Sequence, residues 1–136
     1  MSAYRRPDPP LDLGERAALG GARAMLDISD GLAKDAGRLG RASAVRLVVD
    51  LASPVLAAAI DTWSPLAEVL AADPREWVAG GGEDHAFLAA FPAGARLPDG
   101  WHGIGRVVAA GETGPGATVL GAPAGPPGWD HFAVPG

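Results

Sequence analysis

The sequence contains no cysteine, which excludes disulfide bonds and cysteine-ligated metal sites. Lysine occurs once, and Lys34 follows Ala33 rather than a glycine, so a P-loop of the G-x-x-x-x-G-K-[ST] type is excluded. No basic run extends beyond Arg5-Arg6 and the net charge is −5, so nucleic acid is not an expected partner. No run of about 18 apolar residues is present, so no membrane span is predicted. Because the N-terminus is polar and proline-rich, unlike a signal peptide, we expect a soluble cytoplasmic protein.

What the sequence does contain fits one domain with a core. A chain of 136 residues buries roughly two-thirds of its surface on folding. Its 20 glycines and 13 prolines cluster after Phe91, which predicts a loop-rich second half. The three histidines are scattered and indicate no histidine-ligated metal.

Strand and helix patterns occur without regular alternation, which favours an α+β fold: a small mixed sheet flanked by helices. The clearest helix carries Leu32, Ala36 and Leu39 on one face, and its glycines, Gly37 and Gly40, suggest close packing against the sheet. Helices are predicted over 13–19, over 31–42, from Ser53-Pro54, and from Ser64-Pro65 over 66–71, and a further short turn is predicted from Asp73-Pro74 to 77. Strands are predicted over 24–28, 45–51, 86–91, 103–109 and 117–120.

The first candidate site lies where a predicted strand meets the clearest helix, in the stretch from Ala24 to Leu32. Ser29 or Asp30 could cap the helix by accepting hydrogen bonds from its first N–H groups. Capping does not explain Asp27, which interrupts an apolar strand and would need a partner if it were buried. Helix N-termini bind phosphate and carboxylates bind Mg²⁺, so metal or phosphate binding is the alternative.

Two further motifs each have a structural and a functional interpretation. Gly80-Gly81-Gly82-Glu83-Asp84 is either a flexible turn or a place where the backbone approaches a ligand and aims a carboxylate. Gly128-Trp129-Asp130-His131-Phe132 is either a packed terminal plug or an aromatic platform for a cationic ring.

Together these motifs resemble the C-terminal domain of the thiamine-monophosphate kinase family, within the aminoimidazole ribonucleotide synthetase superfamily. The superfamily shares the D-x-S-D-G-L element, present here at positions 27–32. The G-G-E-D element at 81–84 and the terminal G-[WY]-D-H-F element at 128–132 are typical of the thiamine kinase branch. An arginine–proline segment at 5–9 and Gly103-Ile104-Gly105-Arg106-Val107 extend the resemblance over nearly the whole chain.

The resemblance implies transfer of the γ-phosphoryl group of ATP to thiamine monophosphate, giving thiamine diphosphate. Carried over by position, Asp27 and Asp30 would hold Mg²⁺ and Ser29 would contact ATP. Glu83 would contact the substrate, and Trp129 would stack on its thiamine part. This suits phosphoryl transfer, which depends on positioning and charge neutralisation.

The sequence departs from the family in two ways. His85 stands where the family usually has an aromatic residue. More importantly, the resemblance implies that the family's N-terminal domain, which supplies further aspartates and nucleotide contacts, is not contained in this sequence, so we expect residues 1–10 to lead into a single C-terminal-type domain over 11–136. We expect this chain to be inactive alone, with the N-terminal domain as a partner and an exposed apolar face that could make it dimerise. A non-enzymatic remnant that binds a phosphorylated ligand or a partner is the alternative.

Overall fold

A computed structural model describes residues 11–81 and 86–123 of the chain. Both helices and strands are present, as the α+β prediction requires. The expected extended segment at residues 1–10 lies outside the described residues. The helices are α1 (Leu11–Leu19), α2 (Leu32–Ala42), α3 (Pro54–Leu70) and α4 (Pro74–Gly80), and the strands are β1 (Ala24–Asp27), β2 (Val45–Asp50), β3 (Phe87–Ala90), β4 (Gly105–Ala109) and β5 (Gly116–Leu120).

The strands form two small sheets instead of the one that the sequence predicted. β1 pairs with β3 in an antiparallel ribbon. β2 is the central strand of a mixed sheet, antiparallel to β4 and parallel to β5. The local pattern predicts each strand, but the partners of β2 are encoded far along the chain, and no local signal specifies them.

Helix α2 lies against both sheets and forms the centre of the core. Leu32, Ala36 and Leu39 are buried on one face of α2, as the helical spacing predicted. They form a cluster with Leu47 and Val49 of β2 and Leu88 of β3. Because α2 contacts elements of both sheets, it fixes the end of β1 relative to β2 and β5.

Only one of the two glycines in α2 packs against the sheet. A Cβ atom at Gly40 would lie 2.0 Å from the carbonyl oxygen of Gly116, so glycine allows α2 to approach the start of β5. A Cβ atom at Gly37 would meet only the side chain of Arg41, its nearest atom being Nη1 at 3.1 Å. The prediction of close packing is therefore confirmed for Gly40 and wrong for Gly37.

Helix α3 continues through Pro65, so the prediction that Ser64-Pro65 begins a new helix is wrong. Proline has no N–H and normally breaks a helix interior. Here the hydroxyl of Ser64 donates to the carbonyl of Ile60 at 2.8 Å, and the hydroxyl of Thr62 donates to Ala58 at 2.8 Å. Both side-chain hydrogen bonds lie on the N-terminal side of Pro65, in the turns of α3 that lead into the proline.

Helix α3 also exposes apolar side chains to solvent. Trp63 and Leu66 are about half exposed, and Val69 and Leu70 are exposed to a greater extent. The sequence predicted an exposed apolar face without identifying its residues. Although α3 is apolar, no helix among the described residues is long and apolar enough to cross a membrane.

Candidate functional site

The predicted site occupies the connection between β1 and α2. β1 ends at Asp27 and α2 begins at Leu32, so Asp27, Ser29 and Asp30 all lie within a few residues of the helix N-terminus. The residue at the N-cap position is Gly31, which has φ 117° and makes no side-chain capping hydrogen bond. Helix capping by Ser29 or Asp30 is therefore wrong, because Gly31 takes the position that a capping side chain would need.

Asp27 is exposed, so the argument that it needs a partner because of burial does not hold. Exposure alternates along β1, and Asp27 and Met25 are its two exposed residues. This alternation is what a half-buried strand gives. An exposed carboxylate at the end of a strand needs no internal partner, and its oxygen atoms can be reached by a ligand from solvent.

The turn is held from inside by Asp35, a residue that the sequence analysis missed. Asp35 is 1% exposed and is the largest fully buried side chain among the described residues. Its Oδ2 atom accepts hydrogen bonds from the backbone N–H groups of Ser29, at 3.0 Å, and Asp30, at 2.9 Å. The available signal was its position on α2, three residues after Leu32 and beside Ala36, where a carboxylate interrupts the apolar face.

Asp30 is a member of a charged cluster with residues of the first turns of α2. Its Oδ2 atom lies 2.5 Å from Nη2 of Arg38 and 3.9 Å from Nζ of Lys34. Arg38 also donates from Nη1 to Oδ1 of Asp35 at 2.7 Å. The pKa of the Arg38 guanidinium is raised, first by its hydrogen bond with Asp30 and then by that with Asp35. Arg38 therefore bridges the exposed end of the turn and the buried carboxylate.

The chain on either side of positions 82–85 is attached to the same turn. The N–H of Leu32 donates to the carbonyl of Gly81 at 3.3 Å, and the N–H of Ile28 donates to the carbonyl of Ala86 at 2.7 Å. A Cβ atom at Gly31 would lie 2.5 Å from the carbonyl oxygen of Gly80, so only glycine fits this contact. Glu83 lies outside the described residues, but its described neighbours along the chain contact the turn that contains Asp27 and Asp30.

The other predicted site residue, Trp129, also lies outside the described residues. Within the described part of the chain, no group of three or more His, Asp or Glu side chains is placed to hold a metal ion. The donor set at the turn still fits Mg²⁺, because this ion is commonly bound by one or two carboxylates together with phosphate oxygens and water. Asp27 and Asp30 are the two carboxylates that the turn supplies.

Comparison with known proteins supports the resemblance found in the sequence. No family model matches the chain. Thiamine-monophosphate kinase of Mycobacterium tuberculosis (strain ATCC 25618 / H37Rv) is 41% identical over 131 residues, which is 95% of this chain and 37% of that protein. The chain therefore spans little more than a third of the length of this curated relative.

Two solved structures have the same fold over most of the chain. The crystal structure of thiamine monophosphate kinase from Aquifex aeolicus matches 88% of this chain with a TM-score of 0.69 and 27% identity, over 39% of that chain. The structure of AaThiL complexed with AMPPCP and TMP matches 96% with a TM-score of 0.72 and 29% identity, over 40% of that chain. In sequence and in fold, the chain is thus similar to a part of thiamine-monophosphate kinase.

Proposed function

We propose that the chain is the C-terminal part of a thiamine-monophosphate kinase, an ATP-dependent phosphotransferase of thiamine diphosphate biosynthesis. The observation that carries this proposal is the 41% identity over 95% of the chain to a protein of that name. The acidic turn between β1 and α2 supports it, since the turn has donors of the kind that phosphoryl transfer uses. A cytoplasmic location is proposed with the activity, because ATP is its co-substrate.

In the proposed site, Asp27 and Asp30 hold Mg²⁺. Bound magnesium would neutralise the phosphates of the two substrates, which otherwise repel each other. The exposure of Asp27 suits this role, because its carboxylate can be reached without rearrangement of the core. Asp30 is half-buried and paired with Arg38, so its carboxylate is held in a defined orientation beside the helix N-terminus.

The nucleotide is proposed to lie at the N-terminal end of α2, where Ser29 contacts it. Backbone N–H groups at a helix N-terminus and their positive dipole favour phosphate. The N–H groups of Ser29 and Asp30 are bound by Asp35, so the proposed contact with ATP comes from the exposed Ser29 side chain. AaThiL was solved with AMPPCP and TMP bound, and the chain has the same fold as part of that protein.

Thiamine monophosphate is proposed to contact Glu83 and Trp129. A carboxylate and an aromatic face both suit a cationic thiazolium ring. The hydrogen bonds that join Gly81 and Ala86 to the turn support the proposed role of the segment between them. Two variants of Trp129 test its role in a complete enzyme: Trp129→Ala should raise the KM for thiamine monophosphate, whereas the control Trp129→Phe, which keeps an aromatic face, should raise it much less. An unchanged KM in Trp129→Ala would favour the terminal plug.

The chain is proposed to act with an N-terminal domain, because it spans only about a third of the length of its relatives. Residues 11–136 would form one C-terminal-type domain, with residues 1–10 leading into it. The apolar side chains that α3 exposes are a candidate surface for contact with such an N-terminal domain or for a homodimer.

The deciding experiment is an assay of phosphoryl transfer with ATP, Mg²⁺ and thiamine monophosphate. The chain is assayed alone, mixed with a separately expressed N-terminal part of the M. tuberculosis relative, and fused to that part. Activity only in the mixture or the fusion supports the proposal. Absence of activity in all three, with the fold intact by circular dichroism, would contradict it and favour a non-enzymatic binding domain.

Asp27→Asn tests the metal role within the same assay. We expect loss of activity of at least about 100-fold, because a neutral amide does not replace a carboxylate ligand of Mg²⁺. Asp61→Asn is the matched control, since Asp61 is also an exposed aspartate but lies on α3. Full activity in Asp27→Asn would show that this carboxylate does not hold the metal.

A further inference from the structure

The buried carboxylate of Asp35 has a place in the fold that hydrophobic packing does not explain. It lies among apolar residues of α2 with 1% of its surface exposed. A buried carboxylate is tolerated only when its oxygen atoms are hydrogen-bonded or paired. Here Oδ2 accepts from two backbone N–H groups and Oδ1 accepts from Arg38. Two of these donors are backbone N–H groups of the acidic turn, and the third is Arg38, which pairs with Asp30 of that turn.

These contacts fix the backbone of the turn. Ser29 and Asp30 precede α2, so their N–H groups cannot bond within the helix. Asp35 takes both of them with one oxygen atom and thereby sets the path of the chain at the two residues. Asp35 thus acts as an N-cap side chain ordinarily does, because its carboxylate accepts hydrogen bonds from backbone N–H groups near the helix N-terminus. Unlike an N-cap residue, it lies within the helix.

Arg38 also holds a side chain of the turn, that of Asp30. Its Nη1 donates to Asp35 and its Nη2 lies 2.5 Å from Oδ2 of Asp30. Two nitrogen atoms of one planar guanidinium can hold two carboxylates in a fixed relative position. The buried oxygen of Asp35 is therefore linked through Arg38 to the carboxylate of Asp30.

Asp35 can act as a fixed reference because α2 is itself held at both ends. The start of α2 is held by the contact of Gly31 with Gly80 and by the hydrogen bond from Leu32 to Gly81. Its last turn is held by the contact of Gly40 with Gly116. Movement of Asp35 relative to the sheets would require displacement of the whole helix.

We propose that Asp35 is a positioning residue for the metal-binding turn, acting on Asp30 through the backbone and through Arg38. This inference rests on the proposed magnesium role of Asp27 and Asp30. Asp35 itself does not touch the metal; it presents Asp30 in the orientation in which that carboxylate binds Mg²⁺.

The test uses the 136-residue chain and measures two things in wild type and variants. Amide NMR signals of Ser29 and Asp30 report the hydrogen bonds to Asp35, and a Mg²⁺ titration in the presence of inorganic phosphate, followed by NMR, reports metal affinity. The variants are Asp35→Asn, which keeps the side-chain size, and the double variant Asp35→Asn/Arg38→Gln, which leaves the net charge unchanged. Asp61→Asn serves as the control for the loss of one negative charge elsewhere.

We expect Asp35→Asn to fold, to shift the Ser29 and Asp30 amide protons upfield, and to weaken Mg²⁺ binding roughly 10-fold, as loss of a group that orients a metal ligand usually does. The double variant should be weakened to a similar extent, because its charge is unchanged but the link to Asp30 is broken. Asp61→Asn should bind Mg²⁺ like wild type.

Two results would overturn the inference in distinguishable ways. Wild-type Mg²⁺ affinity in the double variant would show that Asp35 acts only through its charge and does not position the turn. A wild-type chain whose signals do not respond to Mg²⁺ would remove the proposed metal role and the positioning role together. In that case the amide signals would still show whether Asp35 holds the turn.

Discussion

The contact between α2 and β5 at Gly40 gives a prediction whose sign depends on the structure. Alanine is the better helix former, so Gly→Ala at a helix position without contacts stabilises the fold by about 1 kcal/mol. At Gly40 the new Cβ atom would lie 2.0 Å from the oxygen, 2.7 Å from the carbon and 3.0 Å from the Cα atom of Gly116. Ordinary contact begins at 3.4 Å, so α2 and β5 would have to move apart by more than 1 Å. We therefore expect Gly40→Ala to destabilise the chain.

The magnitude follows from the two opposing effects. Overpacking in a tight core costs about 1–3 kcal/mol. The upper part of that range applies here because the atoms in the way belong to the backbone and cannot rotate aside. After subtraction of the helix-propensity gain of about 1 kcal/mol, Gly40→Ala should lower the free energy of unfolding by about 1–2 kcal/mol.

Urea unfolding followed by circular dichroism measures this change, with Gly37→Ala as the matched control. With a urea m-value of about 1–3 kcal/mol/M, the midpoint of Gly40→Ala should fall by about 1 M. At Gly37 the new Cβ atom would meet only the flexible end of Arg41, so this variant should be as stable as wild type or more stable. If Gly40→Ala matched Gly37→Ala, the close approach of α2 to β5 would be refuted.

Two further predictions concern helix α3 and the start of helix α4. Pro65→Ala should raise the free energy of unfolding by about 1–3 kcal/mol, because alanine restores a backbone donor inside α3. The control Pro54→Ala, in the first turn of α3, should leave the urea midpoint nearly unchanged. Equal effects of the two substitutions would contradict the interior position of Pro65. The pKa of Asp73 is lowered, first by its side-chain hydrogen bond with Arg75 and then by the backbone hydrogen bond from Arg75. A lowered folded pKa gives stability that is present above the unfolded value of about 3.9 and is lost as the pH falls through the folded value. Wild type should therefore be more stable than Asp73→Asn at pH 5, and the difference in their free energies of unfolding, measured with urea, should shrink as the pH is lowered to 2. A difference that stays constant over this range would contradict the role of the Asp73–Arg75 pair.

Local features of the fold could be predicted from the sequence, whereas the pairing of strands could not. The spacing of Leu32, Ala36 and Leu39 is enough to predict α2 and its buried face, because helical periodicity is a local property. The β-branched run at 45–51 likewise predicts β2. The division into two sheets depends on contacts between distant residues. The continuation of α3 through Pro65 is a property of the folded chain, and the usual effect of proline on a helix does not predict it.

Only part of the candidate site could be located from the sequence. The D-x-S-D-G-L motif located the acidic turn, and the structure places Asp27, Ser29 and Asp30 at the junction of β1 and α2. The motif did not identify Asp35, because burial and hydrogen bonds to a turn five residues earlier are properties of the folded chain. It also suggested a capping role that Gly31 fills by its backbone alone.

The order of the strands has a consequence for how the chain folds during synthesis. β2 is complete by Asp50, but its neighbours β4 and β5 begin only at Gly105 and Gly116. Arg46 of β2 donates to the carbonyl of Gly114, 68 residues further along the chain. Contacts of such long range slow folding, because a large loop must close before they form. Until the last third of the chain leaves the ribosome, β2 has two unpaired edges, and that interval is when the nascent protein is most prone to aggregate.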